Sequence, residues 1–87
     1  MTRYSVELTS AAAKRVRKLD APARVRVLRA LAGLADEPRP SGVKKLVGTD
    51  NAWRIRVGDY RVIYEIDDGI VVVVVFRVAH RRDVHEG

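Results

Sequence analysis

The beginning of the chain changes from strand-like to helix-like spacing of its apolar residues. Apolar and polar residues alternate over positions 4–8, which predicts a half-buried strand. The hydroxyls of Thr9 and Ser10 can cap a first helix, which we expect to end near Leu19. Asp20 can cap a second helix, for which we predict one broad apolar face made of Val25, Val27, Leu28, Leu31, Ala32, Leu34 and Ala35. The apolar face of this helical hairpin must pack against a sheet.

The rest of the chain has the pattern of strands separated by turns. Residues 38–42 include two prolines and a glycine, which end the second helix in an exposed loop. Residues 43–47 can form a short strand before a turn at 48–51. Longer strands are predicted at positions 53–57, 60–66 and 70–79. The order predicts one α+β domain over residues 1–87, in which a helical hairpin covers one face of a mainly antiparallel sheet. Three to four strands follow the helices, and the other sheet face is left open.

Gly58 and Asp59 form a two-residue turn that fixes the register of the strands on either side. Glycine at the first turn position can adopt the positive φ that such a hairpin needs. Counting outward from the turn places Arg56 directly opposite Arg61, at a cost of some tenths of a kcal/mol for the like charges. One hairpin face then belongs against the helices and carries Trp53, Ile55, Val57, Tyr60, Val62 and Tyr64. The other face carries three arginines, Arg54, Arg56 and Arg61.

The length of the next turn, around Asp67, Asp68 and Gly69, decides which side chains of the last strand face the helices. A three-residue loop with Gly69 in the left-handed conformation directs toward the helices Ile70, Val72, Val74, Phe76 and Val78. A two-residue loop would instead bury Arg77, where an unpaired guanidinium is costly. We therefore predict the longer loop and an open face that also carries Arg77 and Arg81. By the same counting, His80 points toward the helices and is expected to cap or pack.

Charge and composition narrow the functions open to such a fold. The chain has 17 Lys and Arg against 11 Asp and Glu, a net charge of +6 that favours a polyanionic partner. Without cysteine it forms neither a disulfide nor a thiolate metal site, and its two histidines lack ligand spacing, so we expect no metal and no cofactor. The chain shows no signal-peptide pattern, and the apolar run 70–76 is too short to cross a bilayer. We expect a cytoplasmic protein with no membrane partner.

Several motifs in combination resemble the RelE branch of the RelE/ParE toxin superfamily, over essentially the whole chain. They are Gly-Asp-Tyr-Arg-Val-Ile-Tyr at 58–64, Trp-Arg-Ile-Arg at 53–56, a Lys-Leu step at Leu46, the valine-rich last strand and Ala-His-Arg-Arg-Asp-Val-His at 79–85. The resemblance implies a microbial RNase-like fold and a toxin of a type II toxin–antitoxin system. It further implies an endoribonuclease that cleaves messenger RNA on the ribosome, and a cognate antitoxin with which the toxin forms a heterotetramer.

The resemblance also assigns roles to basic residues by their positions. The candidate catalytic residues are Arg56, Arg61, Arg81 and His85. The candidate RNA-binding residues are Arg54, Arg77, Lys44, Lys45 and Arg82. The implied reaction is attack of a ribose 2′-OH on the adjacent phosphate, which leaves a 2′,3′-cyclic phosphate and a 5′-OH. Guanidinium groups can stabilise the negative charge that grows on the phosphorane oxygens. Arg56 and Arg61 are expected in that role, and Arg81 on the side of the leaving oxygen.

Two features depart from the better-known members of that family. Arg54 and Arg56 stand where some relatives have lysine, and arginine keeps its proton at accessible pH, so neither is a good general base. His85 stands where many members have tyrosine. A histidine there can act as acid or base, stack on a nucleobase, or take no part in the reaction.

Two other functions are compatible with the same fold. A ParE-like member would inhibit DNA gyrase without being an enzyme, and a non-catalytic basic module would only hold nucleic acid or an acidic peptide. The presence of Arg56, Arg61 and Arg81 argues against the ParE-like function. The non-catalytic module stays open, and whether RNA is cut separates all three functions.

Overall fold

The computed structural model describes residues 3–83, which form an α+β domain. Its helices are α1 (Ser10–Arg17) and α2 (Ala21–Asp36). Its strands are β1 (Ser5–Leu8), β2 (Lys44–Lys45), β3 (Ala52–Val57), β4 (Tyr60–Asp67) and β5 (Val72–His80), and a 3-10 turn follows at Arg81–Asp83. The predicted order of strand, helical hairpin and strands is confirmed, with four strands after the helices in this part of the chain.

The strands form one sheet in the order β1-β5-β4-β3-β2. β2 to β5 pair antiparallel, whereas β1 runs parallel to β5, with Ser5 opposite Val72 and Leu8 opposite Val75. The two helices carry the chain from β1 at one edge of the sheet to β2 at the other. Their buried residues pack with those of β3, β4 and β5 in one core. Among the described residues, no helix is long and apolar enough to span a membrane.

Both predicted helix caps are present, but only part of the predicted apolar face of α2 is buried. Thr9 accepts a hydrogen bond from the Ala12 amide at 3.2 Å, and Asp20 accepts one from the Ala23 amide at 3.4 Å. The buried residues of α2 are Val27, Leu31, Leu34 and Ala35. Ala32 is exposed, and Val25 and Leu28 are 50% and 47% exposed, so the prediction of one broad buried face is wrong. The helix packs through a single stripe of residues three and four positions apart.

The turn between β4 and β5 is longer than predicted. Asp67 pairs with Val72, so the loop spans residues 68–71. The carboxylate of Asp67 accepts hydrogen bonds from the amides of Gly69 and Ile70, at 2.9 and 3.1 Å. The residue with positive φ is Val71, at 59°, and not Gly69. The prediction of a three-residue loop closed by a left-handed Gly69 is therefore wrong.

A β-bulge in β5 changes the facing of its side chains halfway along the strand. Ile63 pairs with Arg77 and Tyr64 pairs with Val75, which leaves Phe76 as the extra residue. Before the bulge the residues buried against the helices are Val73 and Val75, rather than the predicted Val72 and Val74. Ile70, also predicted to face the helices, lies in the turn and is 69% exposed. After the bulge the prediction holds, because Val78 is buried and Arg77 is exposed.

Tyr64 of β4 is the largest fully buried side chain of the core. Its hydroxyl donates a hydrogen bond to the carbonyl oxygen of Pro38 at 2.7 Å, which fastens the loop after α2 to the sheet. Burial disfavours the phenolate and raises the pKa of Tyr64 to about 12.

We expect the free energy of unfolding to fall in strongly alkaline solution, because Tyr64 is buried in its protonated form. Tyrosine in the unfolded chain ionises near pH 10, whereas folded Tyr64 keeps its proton to about pH 12. Below pH 10 the folded and the unfolded chain both carry the tyrosine proton, so buried Tyr64 makes its full contribution to the free energy of unfolding. Between the two values only the unfolded state has lost its proton, so the free energy of unfolding decreases as pH rises.

Urea unfolding across this pH range, with Tyr64→Phe as the control, measures the effect. The variant leaves the Pro38 carbonyl unpaired and should be less stable by about 1–3 kcal/mol at neutral pH. Its stability should nevertheless decline less steeply above pH 10 than that of the wild type. Equal alkaline slopes in the two proteins would contradict the assignment.

Candidate nucleic-acid interface

A row of residues on the sheet face opposite the helices crosses four strands. Lys44 of β2 pairs with Arg54 of β3, Arg54 pairs with Ile63 of β4, and Ile63 pairs with Arg77 of β5. Residues that pair directly lie on the same face of a sheet. The structure thus brings together three of the predicted RNA-binding residues, Lys44, Arg54 and Arg77.

A second row lies beside the first, nearer the β3–β4 turn. Arg56 pairs with Arg61, as the two-residue turn predicted, and Arg61 pairs with Ala79 of β5. The side chain of Arg56 is exposed and that of Arg61 is half-buried. We call the surface formed by both rows together with Arg81 and Arg82 the basic face.

Two clefts indent the basic face. One has a volume of about 270 Å³ and is lined by Gly42, Lys44, Arg54, Arg56 and Arg61. The other has about 400 Å³ and is lined by Arg56, Gly58, Asp59, Tyr60, Arg61, Arg81 and Arg82. Arg56 and Arg61 line both clefts, so a chain of phosphates that followed the face would pass these two guanidinium groups.

Arg81 reaches the basic face from the 3-10 turn that follows β5. Its backbone amide donates a hydrogen bond to the carbonyl oxygen of Asp59 at 2.7 Å. Its guanidinium Nε lies 3.8 Å from the Asp59 carboxylate, and the two side chains are 66% and 62% exposed. Ion pairs this exposed contribute little to stability. A phosphate oxygen can therefore replace the Asp59 carboxylate at small cost.

His80, the last residue of β5, packs and caps as predicted. Its ring meets the ring of Tyr60 edge to face, with centroids 5.2 Å apart and planes at 88°. Its Nδ1 accepts a hydrogen bond from the Arg82 amide at 3.1 Å. His80 thus touches both the hairpin and the turn that carries Arg81.

Two of the predicted site residues are not on the described basic face. Lys45 pairs with Trp53, which shares the face of buried Ile55, so Lys45 lies on the opposite side of the sheet from Lys44. Its ammonium nitrogen is 5.8 Å from the centroid of the Trp53 ring. His85 lies outside the described residues, and its role stays a prediction.

Arg39 was not singled out by the sequence, because nothing in the loop around it distinguishes its side chain. Its guanidinium lies 5.0 Å from the centroid of the Trp53 ring. It also donates to both oxygens of Asp68, at 3.3 and 2.9 Å, and Tyr4 donates to Asp68 at 2.6 Å. These hydrogen bonds, from Arg39 first and then from Tyr4, lower the pKa of Asp68. The network joins the loop after α2 to the turn between β4 and β5.

A group of three or more His, Cys, Asp or Glu placed to hold a metal ion is absent from residues 3–83. The described part of the basic face carries the guanidinium groups of several arginines and the ammonium group of Lys44. Such groups attract, orient and neutralise phosphate oxygens.

Comparisons with known proteins agree on one superfamily. Residues 6–85 match the family model of the ParE toxin of the parDE type II toxin–antitoxin system. Toxin RelG of Mycobacterium tuberculosis is 36% identical over 86 residues, with 94% of this chain and 95% of RelG covered.

Solved structures show the same fold. The archaeal RelE–RelB complex from Pyrococcus horikoshii superposes with a TM-score of 0.83 at 31% identity, over 97% of this chain and 100% of that one. The RelBE2 toxin–antitoxin complex from Mycobacterium tuberculosis gives a TM-score of 0.79 at 33% identity, over 91% of this chain and 99% of that one.

Proposed function

Because the chain belongs to the ParE toxin family of type II toxin–antitoxin systems, within the RelE/ParE superfamily, we propose that it is a RelE-type toxin that cleaves messenger RNA on the ribosome. The pairing of Arg56 with Arg61 on the basic face carries this proposal. Two like charges directly opposite each other on a sheet are unfavourable, and the core on the other face does not need them. Local rules of this kind are broken most often at functional sites.

The basic face fits the charge changes of the proposed reaction. The ribose 2′-oxygen forms a bond to the adjacent phosphorus and gives up its proton, and the bond from phosphorus to the 5′-oxygen breaks as that oxygen gains a proton. The products are a 2′,3′-cyclic phosphate and a 5′-OH. Arg56 and Arg61 would stabilise the negative phosphorane, and Arg81 would neutralise charge on the leaving oxygen. Arginine keeps its proton, so none of the three moves protons in this scheme.

Cleavage of a defined message on programmed ribosomes tests the proposal. The wild-type protein should produce a 5′-OH end at the decoding site, and much less product from the same RNA without ribosomes. A protein that leaves the message intact and instead blocks supercoiling by purified DNA gyrase would support a ParE-like function. The match to the ParE toxin model is the observation that favours this second candidate.

We also propose that a cognate antitoxin neutralises the chain, in a complex that is a heterotetramer. The relatives from Pyrococcus horikoshii and Mycobacterium tuberculosis were crystallised as toxin–antitoxin complexes. A partly disordered acidic segment that folds across the basic face would cover Arg56, Arg61 and Arg81 together.

Titration calorimetry with the purified product of the neighbouring gene should show tight binding that weakens as salt is raised. Arg61→Glu should weaken binding more than Arg29→Glu, since Arg29 is exposed on α2, away from the basic face. Absence of heat with a folded partner would contradict the toxin–antitoxin assignment. Equal losses in the two variants would place the antitoxin on another surface.

A further inference from the structure

We propose that His80 is a positioning residue, whose imidazole fixes the 3-10 turn Arg81–Asp83 and thereby holds Arg81 at the edge of the basic face. This inference rests on the proposed RNA cleavage, in which Arg81 takes part. His80 itself packs on the helix side of the hairpin and is not expected to touch RNA.

The turn is held at each of its three residues. The Arg81 amide donates to the Asp59 carbonyl oxygen at 2.7 Å, and the Arg82 amide donates to Nδ1 of His80 at 3.1 Å. The Asp83 carboxylate accepts from the Arg15 guanidinium of α1 at 2.9 Å. The middle contact is the one that ties the turn to a side chain of β5.

His80 is itself fixed by the neighbouring strand. It pairs directly with Tyr60 across β4 and β5, and the two rings meet edge to face with centroids 5.2 Å apart. An aromatic contact of this geometry stabilises the orientation of both rings beyond the area that they bury. The position of Nδ1, and with it that of the Arg82 amide, is thereby set by the hairpin.

The side chain of Arg81 depends on this backbone anchoring. Its contact with the Asp59 carboxylate is long, at 3.8 Å, and 66% of the arginine side chain is exposed. Such an ion pair does not define one position for the guanidinium. A displacement of about 1 Å at a catalytic group can lower the rate by as much as 10²-fold. The position of the 3-10 turn that carries Arg81 therefore determines how much Arg81 can contribute to cleavage.

The hydrogen bond requires a neutral imidazole. Nδ1 can accept only when it carries no proton, whereas an imidazolium donates from both nitrogens. Charged groups surround His80 on several sides. Asp20, the N-cap of α2, and Arg26 of α2 line a cavity of about 270 Å³ together with Asp59, Tyr60 and His80, and Arg81 and Arg82 follow in sequence.

Two substitutions separate the hydrogen bond from the ring contact. His80→Phe keeps an aromatic ring against Tyr60 but offers no acceptor. His80→Asn loses the ring, while its side-chain oxygen can accept from the amide two residues later, as asparagine does in Asx-turns. Positioning through the hydrogen bond predicts that asparagine rescues cleavage and phenylalanine does not. A purely packing role predicts the reverse.

Single-turnover cleavage on saturating programmed ribosomes is the test. His80→Phe should reduce the maximal cleavage rate by roughly 10-fold or more, while the ribosome concentration that gives half the maximal rate should change little. The rate of His80→Asn should stay within about 3-fold of that of the wild type. Full activity of a folded His80→Phe protein would overturn the inference. If that variant does not fold, a folded His80→Asn protein that has lost cleavage would overturn it.

Amide hydrogen exchange at Arg82 distinguishes failure of this inference from failure of the proposed function. The amide should be protected in the wild type and in His80→Asn, and exposed in His80→Phe. An unprotected Arg82 amide in the wild type overturns the positioning role even if RNA is cut. A wild type that cuts no RNA overturns the proposed function and, with it, any role of His80 in cleavage, even if the amide is protected.

Discussion

Replacement of Arg61 by alanine should abolish messenger RNA cleavage and leave the fold intact. Arg61 lines both clefts of the basic face and lies opposite Arg56. If it stabilises the phosphorane, its loss should lower the single-turnover rate by about 10²–10³-fold, as does the loss of one preorganised donor to a developing oxyanion. Stability should change little, because Arg61 lies outside the core and its loss relieves Arg56 of a like-charged neighbour.

Arg29→Ala is the matched control for Arg61→Ala. It removes the same charge from an exposed position on α2, on the helix side of the sheet. Circular dichroism and thermal unfolding should show that both variants fold. Cleavage by Arg29→Ala should stay near the wild-type rate. A folded Arg61→Ala protein that cuts within a few-fold of wild type would exclude Arg61 from the catalytic group.

Replacement of Leu34 by alanine should destabilise the protein severely. Leu34 is 1% exposed and belongs to the core that joins α2 to the sheet. Removal of a buried leucine side chain costs about 2–5 kcal/mol through lost transfer energy and the cavity left behind. A domain of this size has only about 5–15 kcal/mol of stability in total, so the unfolding midpoint should fall by roughly 10 °C or more.

Leu28→Ala makes the same chemical change on the same helix at a residue that is 47% exposed. We expect it to cost less than about 1 kcal/mol, since much less apolar surface returns to water. Urea unfolding of both variants measures the difference. Equal losses would mean that α2 is covered on a second side, against the packing described above.

The hairpin of β3 and β4 could be predicted from sequence because one turn fixes its register. Gly58 has a φ of 59°, and the pairs on either side follow by counting. Counting from this turn was therefore enough to locate the arginines of β3 and β4 on the basic face. Arg81 was placed on the open face by counting along the last strand from a β4–β5 loop that is in fact longer, and was made a candidate catalytic residue by resemblance to a family.

The side chains of β5 that point toward the helices could not be predicted in the same way. Nearly every position of this strand is apolar, so the alternation that normally distinguishes the two faces is missing. A uniformly apolar run gives no sign of the bulge that leaves Phe76 unpaired. Because of this bulge, Val73 and Val75 point toward the helices, whereas simple counting from Val78 places them on the opposite face. The helix α2 presents a similar problem, since a sequence with two apolar stripes does not reveal which stripe is covered.

The most direct test of the proposed function is a map of messenger RNA ends in cells that express the chain without its antitoxin, with translation active and with translation blocked. We predict new 5′-OH ends inside coding regions when ribosomes are translating, their loss when translation is blocked, and their absence with Arg61→Ala. Unchanged messenger RNA in arrested cells, or the same cuts without translation, would contradict ribosome-dependent cleavage.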